Sequence, residues 1–402
     1  MNILSRAVSA PSAQMSLVVI ASVGLGMFLN STFSSSGSNQ KIIPSPRDTL
    51  LPQLSVSEIR KLPYPPNALP GARDVQSPYG VFRVYEWGPE DGRKVLLIHG
   101  TSTPCIALGD LAHGLSSQGC RVILLDLWGK GYSDSPGDLQ HDTRLYTTQL
   151  LLALATSPLS WTGTGSGRFS IIGYSLGGGI AASFTSHFPD LVRSLILLAP
   201  AGLIRPSRIG NGSRVLYSTG IFPENLLQWF VKRRLTNKPN IPPIKKGSSN
   251  PLAQELPSSE EDPTKAQSLP EPKLEVNTPA TMEWQLSNHK GFINSFVSSI
   301  RYAPITGQHE EWQRIGHRLS AQNQRRDPLN RGAVNSGLDG GKVLLVLGEH
   351  DLVIVKNEAQ EDMVHALGGE ENVLVKIVDA GHELPLTQSN AIVGFVKELW
   401  SQ

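Results

Sequence analysis

The stretch Phe169–Gly178, read FSIIGYSLGG, constrains this chain more than any other. Phe169, Ile171 and Ile172 form a short apolar run of strand-forming residues, and the run is broken by Gly173-Tyr174-Ser175-Leu176-Gly177. A helical pattern of small residues, GGGIAASFTSHF, follows at once. The reading is strand, sharp turn, helix, with Ser175 at the apex. Glycines two positions either side of the serine let helix and strand pass close to a strained turn that presents the hydroxyl at the end of a sheet strand. A glycine-rich pentapeptide alone has little weight in a chain with 38 glycines, so the flanking pattern decides.

That pattern is an alternation of strands and helices. Val81–Trp87 alternates as a half-buried strand does, and Lys94–Ile98 is an apolar run ending in His99-Gly100-Thr101. The stretch from Ile106 to Ser116 is predicted helical. Arg121–Leu125 is the next buried strand and leads into Asp126-Leu127-Trp128-Gly129-Lys130-Gly131, a loop that doubles back with Asp126 tying its amides and Trp128 expected on the pocket wall. Thr143–Ala155 reads as a helix, and after the Ser175 unit Arg193–Leu198 reads as a strand. Beyond Gly202 the alternation stops for more than a hundred residues. Asn225–Leu235 and Met282–Tyr302 read as helices there, and Asn237–Pro279 is dense in Pro, Ser, Lys and Glu and is expected to be disordered. The sheet pattern resumes at Lys342–Leu347, followed by Gly348-Glu349-His350-Asp351, a helix over Asn357–Leu367, a strand over Asn372–Val378, then Asp379-Ala380-Gly381-His382 and a closing helix. Such alternation implies a mostly parallel sheet covered by helices on both faces. Ser175, Asp351 and His382 each fall just past the end of a predicted strand, where open α/β sheets gather their ligands.

The totals exclude some classes. A formal net charge of +2 over 402 residues gives no electrostatic footprint for nucleic acid. Two cysteines, Cys105 and Cys120, cannot build a disulfide framework and lack metal-site spacing, so two partly buried thiols are expected. No charged residue occurs from Ala7 to Gln40, and within that span Met15–Phe33 is a mostly apolar run long enough for a bilayer. The expectation is an uncleaved single-pass anchor in the secretory pathway, with a cleaved signal segment or a mitochondrial address as competitors. Residues 34–75, rich in Pro and Ser, are expected to be a linker. The organisation is therefore an N-terminal anchor at 1–33, a linker at 34–75, a catalytic body at 76–202, a cap at 203–315 carrying the disordered insertion 237–279, and the rest of the body at 316–402.

The ordered set HG, DxxGxG, GxSxG, GxxD and GH, at His99-Gly100, Asp126–Gly131, Gly173–Gly177, Gly348–Asp351 and Gly381-His382, resembles the α/β-hydrolase superfamily over about residues 75–402, in its form with an inserted cap. The resemblance implies an α/β-hydrolase fold, with a helical cap inserted after the sixth strand. It also implies a Ser175 nucleophile, a His382 general base, an Asp351 orienting carboxylate, and an oxyanion hole at the Thr101 and Leu176 amides. Glu349 and Asp379 are rival carboxylates expected to be solvated turn charges, and His99 and His350 are expected to be structural. A serine at the turn, where relatives that open epoxides or displace halide carry aspartate, leaves acyl chemistry on ester, thioester, amide or C–C substrates. Acyl transfer and a non-catalytic ligand- or partner-binding role are the alternatives. No cofactor or metal is implied. The partners expected are a small ester-like substrate and a membrane, with Leu226, Leu227, Trp229, Phe230, Phe292 and Phe296 read equally as an apolar lining under the cap or as ordinary cap core.

Overall fold

The computed structural model describes residues 41–162, 167–210, 212, 216–219, 221–236, 277–325 and 337–402. The expected anchor at Met15–Phe33 and nearly all of the expected disordered insertion, residues 237–276, lie outside the described residues. Among the described residues no helix is long and apolar enough to cross a membrane.

Among the described residues ten strands occur in chain order: β1 (Ile42–Ile43), β2 (Ala72–Ser77), β3 (Gly80–Trp87), β4 (Arg93–Ile98), β5 (Cys120–Leu125), β6 (Ser135–Pro136), β7 (Phe169–Tyr174), β8 (Val192–Leu198), β9 (Val343–Gly348) and β10 (Val373–Val378). The longer helices are α1 (Gly109–Ser117), α2 (Thr143–Ala155), α3 (Leu176–His187), α4 (Glu224–Thr236), α5 (Thr278–Asn288), α6 (Phe292–Tyr302), α7 (His309–Arg325), α8 (Lys356–Ala366) and α9 (Ser389–Ser401). Eight strands form one sheet in the order β10-β9-β8-β7-β4-β5-β3-β2. From β10 to β5 every neighbouring pair is parallel, while β3 pairs antiparallel with both β5 and β2. The side chains of Val95–Ile98, Val122–Leu125 and Val343–Leu347 are fully buried, the continuous apolar runs that a sheet covered on both faces requires. Helices α1 and α9 pack together, and α3 packs with α2 and α7.

The chain leaves β4 for β5 on one side and returns to β7 on the other. The sheet order therefore reverses between β4 and β7, the place where a crevice opens at the strand ends. Thr101 follows β4 and Ser175 follows β7, so both sit at this crevice.

The cap is inserted after β8, the sixth strand of the large sheet in chain order. Helices α4, α5 and α6 share a small core of their own, built on Leu227, Val231, Met282, Leu286, Phe292, Ile293, Phe296 and Val297. Three expectations are corrected here. The single helix expected over Met282–Tyr302 is two helices, because Gly291 donates its N–H to the His289 ring and passes too close to Ser135 for any side chain. The cap ends before residue 315, since Trp312, Ile315 and Leu319 of α7 bury into the main core. The stretch expected as a linker is, from Lys41 onward, part of the body: β1 pairs with β6, Ser45 N–H donates to Asp134 at 2.9 Å, and Tyr64, Leu69 and Val75 are buried in the main core. Proline and serine content concealed those few apolar anchors.

Candidate active site

The turn after β7 is strained as its sequence requires. Ser175 has φ 53° and ψ −121°, a conformation seldom adopted by a residue with a side chain. It is held there by main-chain bonds, with Ser175 N–H donating to Leu198 O at 3.0 Å and Ser175 O accepting from Gly178 at 2.8 Å and Ala201 at 2.9 Å. A methyl group on Gly177 would collide with the Ile98 carbonyl, and one on Gly173 with the Gly177 carbonyl, so both glycines are required by close approach.

The histidine has farther to come. Strands β7 and β10 are three positions apart in the sheet, about 14 Å at ordinary strand spacing, so the loop after β10 must lean back across β9 and β8. Gly348 makes room for it, because a side chain there would press on the Ala380 and Gly381 carbonyls, and His350 N–H donates to Ala380 O at 3.0 Å. His382 Nε2 then lies 2.9 Å from Ser175 Oγ, and His382 Nδ1 lies 2.8 Å from Asp351 Oδ2. The other Asp351 oxygen accepts from Val353 and Ile354 N–H, both at 2.8 Å, which fixes the carboxylate. A carboxylate only accepts, so Nδ1 carries the proton and Nε2 faces the serine hydroxyl as an acceptor. The rivals stand elsewhere: Glu349 pairs with Lys356 at 2.6 Å, and Asp379 with the exposed His350 at 3.0 Å.

Loop 99–103 runs alongside the serine, since a methyl on Gly100 would stand 3.2 Å from Ser175 Cβ. Thr101 is buried on that loop, and Leu176 opens α3, where the helix dipole turns its positive end toward the crevice. His99 is structural, as expected. It donates from Nδ1 to Gly100 O at 2.7 Å and accepts at Nε2 from Leu127 N–H at 2.9 Å, so it ties the loop after β4 to the loop after β5. Burial pushes its pKa down to about 3, keeping the ring neutral.

Asp126 ties amides as expected, accepting from Cys105 N–H at 3.0 Å and Tyr132 N–H at 2.9 Å, with the Tyr64 hydroxyl as a third donor. Burial raises its pKa. Both cysteines are free and buried. Trp128 corrects an expectation: it is fully buried edge-on to Phe82 at 5.1 Å and belongs to the core, not to a pocket wall. The apolar residues of the cap divide between the cap-core reading and a third place. Leu227, Phe292 and Phe296 form the cap's own core, whereas Leu226, Trp229 and Phe230 are exposed on the outside of α4.

Sequence reasoning missed the groups that join cap to body. Gln285 of α5 is fully buried, donating to Ser102 O at 2.8 Å and accepting from Gly131 N–H at 2.9 Å. The buried Lys130 donates to Ser295 Oγ at 2.8 Å and stands over the Phe292 ring at 4.8 Å. His289 donates to Ser133 O at 2.9 Å, and burial lowers its pKa to about 4. Nothing in one sequence marks such bridges, whose partners are about 150 residues apart. Tyr174, which packs against the His382 ring at 5.3 Å between centroids, occupies a variable position of the pentapeptide and was not singled out.

Ser175 is only 3% exposed. A depression of about 490 Å³ is lined by Arg208, Glu349, Asp351, Leu352 and Lys356, and its lining includes neither Ser175 nor His382. Among the described residues no cluster of His, Cys, Asp and Glu is arranged to hold a metal ion.

A parallel sheet with a strained serine turn at its switch point, facing a histidine and a carboxylate from later strand ends, defines a class of α/β enzymes. Comparison with known proteins agrees: the family model described as "alpha/beta hydrolase fold" matches residues 93–388, and the chain belongs to that family. A serine hydrolase-like protein of Danio rerio is 31% identical over 128 residues, 32% of this chain and 37% of that protein. A 2-hydroxymuconate semialdehyde hydrolase of Pseudomonas putida is 34% identical over 122 residues, 30% of this chain and 41% of that protein. The matches thus span less than half the length of these relatives. Among solved structures, a carboxylesterase of Bacillus subtilis superposes with a TM-score of 0.52 at 16% identity, covering 82% of this chain and 90% of that one, a likeness of fold.

Proposed function

We propose that this chain is a serine hydrolase that cleaves carboxylic ester-like acyl compounds through an acyl-enzyme on Ser175. The observation that carries the reading is the hydrogen-bonded series Ser175 Oγ, His382 Nε2, His382 Nδ1, Asp351 Oδ2, with spacings of 2.9 and 2.8 Å. In this reading Ser175 Oγ attacks the acyl carbon while its proton passes to His382 Nε2. Asp351 holds the imidazolium that forms, and the oxyanion is met by the Thr101 and Leu176 amides. The C–O bond to the leaving alcohol then breaks as His382 returns the proton to it. Water repeats the sequence on the acyl-enzyme, releasing the acid and restoring Ser175.

A fluorophosphonate probe tests this directly. Wild type takes the label and Ser175→Ala does not; equal labelling of both proteins would sink the assignment.

We also propose that the body works tethered to a membrane by Met15–Phe33, a run free of charge and long enough to span. Carbonate washing of membranes checks this, and release of the full chain into the soluble fraction excludes a spanning segment.

A further inference from the structure

Helix α4 carries apolar residues both toward the cap core and on its exposed side. Leu227 and Val231 turn inward to the cap core, as such residues must when a helix packs on one side. A second set, Leu226, Trp229 and Phe230, faces outward and is 46%, 57% and 45% exposed, and Phe222, in the bend just before the helix, is exposed as well. On the helix this set spans about 6 Å by helical rise. The set runs straight into Lys232, Arg233 and Arg234, all exposed, and the Arg233 guanidinium stands over the Trp229 ring at 5.6 Å. The helix carries one acid, Glu224, and that is paired with Arg301 at 2.8 Å. The outward side is therefore apolar at Leu226, Trp229 and Phe230 and positive at its C-terminal end.

We propose that this face of α4 docks on the surface of an anionic lipid bilayer. Leu, Trp and Phe side chains at the acyl boundary with basic residues at headgroup level are the composition an interfacial helix needs, and three adjacent cations match anionic headgroups. The path of the chain supplies a second argument. Lys41 accepts from Gly137 N–H, Ile42 pairs with Pro136, and β6 packs against α6, whose neighbour in the cap is α4. The N-terminal end of the folded body thus lies beside the cap helix on which α4 packs. Only residues 34–40 separate that end from Phe33, a reach of at most about 25 Å. If Met15–Phe33 spans a bilayer, the body is held against that surface with the cap near it. The docking rests on α4 itself and does not require the span.

The test uses the full chain carrying Leu226→Cys labelled with an environment-sensitive nitrobenzoxadiazole dye, the two native thiols being buried. With vesicles of phosphatidylcholine and phosphatidylserine, emission moves to the blue and is quenched by brominated acyl chains. Replacing Lys232, Arg233 and Arg234 with Gln removes the dependence on phosphatidylserine. The pair Trp229→Asp and Phe230→Asp lowers turnover of a nitrophenyl ester held in those vesicles and leaves turnover of nitrophenyl acetate in water unchanged. Emission indifferent to vesicles overturns the proposal. So does a shift seen without lipid, whether from a second copy, reported by a dimer mass that Trp229→Asp abolishes, or from residues 237–276, reported by its loss on their deletion. The fluorescence needs no turnover: Ser175→Ala keeps the shift, so an inactive protein that still docks refutes the hydrolase reading alone. A shift that persists in protein released by carbonate refutes the spanning segment alone.

Discussion

Gln285 donates its side-chain amide to the Ser102 carbonyl at 2.8 Å, joining a cap helix to the loop that carries Thr101. The same side chain accepts the Gly131 N–H, so the loop after β4, the loop after β5 and the cap meet at one buried amide. In the proposed mechanism the Thr101 amide must be aimed before the charge develops, and its aim depends on what holds its neighbour.

Gln285→Met, close in shape but unable to make either bond, is expected to lower kcat about ten- to a hundredfold, with KM changed far less. Rates are taken per active site titrated by a fluorophosphonate, which removes any loss from partial unfolding. Gln285→Glu keeps the acceptor for Gly131 and is expected to recover part of the rate. A normal kcat per titrated site in the Met variant contradicts the role.

Asp351→Asn keeps an oxygen for the Val353 and Ile354 amides while removing the charge that fixes the His382 tautomer. Turnover is expected to fall on the order of ten-thousandfold with folding retained. Glu349→Gln and Asp379→Asn, whose carboxylates pair with Lys356 and His350, are expected to stay near wild type. Ester hydrolysis by the three variants, with circular dichroism as the fold control, settles which carboxylate serves.

Gly177→Ala places a methyl against the Ile98 carbonyl at the base of the strained turn. The expected cost is more than about 3 kcal/mol, because main chain must move on both sides. Urea unfolding measures it, and a midpoint within error of wild type rules out the close approach.

Three buried histidines predict an acid sensitivity. Burial holds His99 and His141 at about 3 and His289 at about 4, against 6.5 in an unfolded chain. Below pH 6.5 the unfolded chain therefore takes up protons that the folded one refuses. The stability these groups contribute is complete above pH 6.5 and is lost as pH falls toward 4 for His289 and toward 3 for His99 and His141, at up to roughly 4 kcal/mol per pH unit while all three sites act. Asp126, whose pKa burial raises, acts in the opposite sense, as one group against three. Denaturant melts from pH 7 to 5 should show a steep fall in stability; a flat profile would mean that these rings are charged in the folded protein.

Local pattern was sufficient for the α/β body. The apolar run before Ser175, the glycines at 173 and 177 and the strand-helix alternation each act over a few residues, so the strand over Phe169–Tyr174 and the helix over Thr143–Ala155 were legible in the sequence. The order Ser175, Asp351, His382 was legible for the same reason: each follows its own strand. Residues 41–75 were misread because composition averages over a segment, while a few side chains such as Tyr64 and Leu69 decide whether it folds down.

The sequence by itself determined that a serine would stand at a strained turn over a parallel sheet, with a carboxylate and a histidine arriving later from strand ends, since strand propensity and glycine geometry are local. Only the tertiary structure decided that the loop after β10 crosses β9 and β8 to set His382 2.9 Å from Ser175 Oγ, that Gln285 joins a cap helix to the loop after β4, and that Trp229 and Phe230 face outward while Leu227 faces in. Those outcomes depend on which surfaces compete for burial across more than a hundred residues of intervening chain, a competition settled by packing and not by the preferences of any one segment.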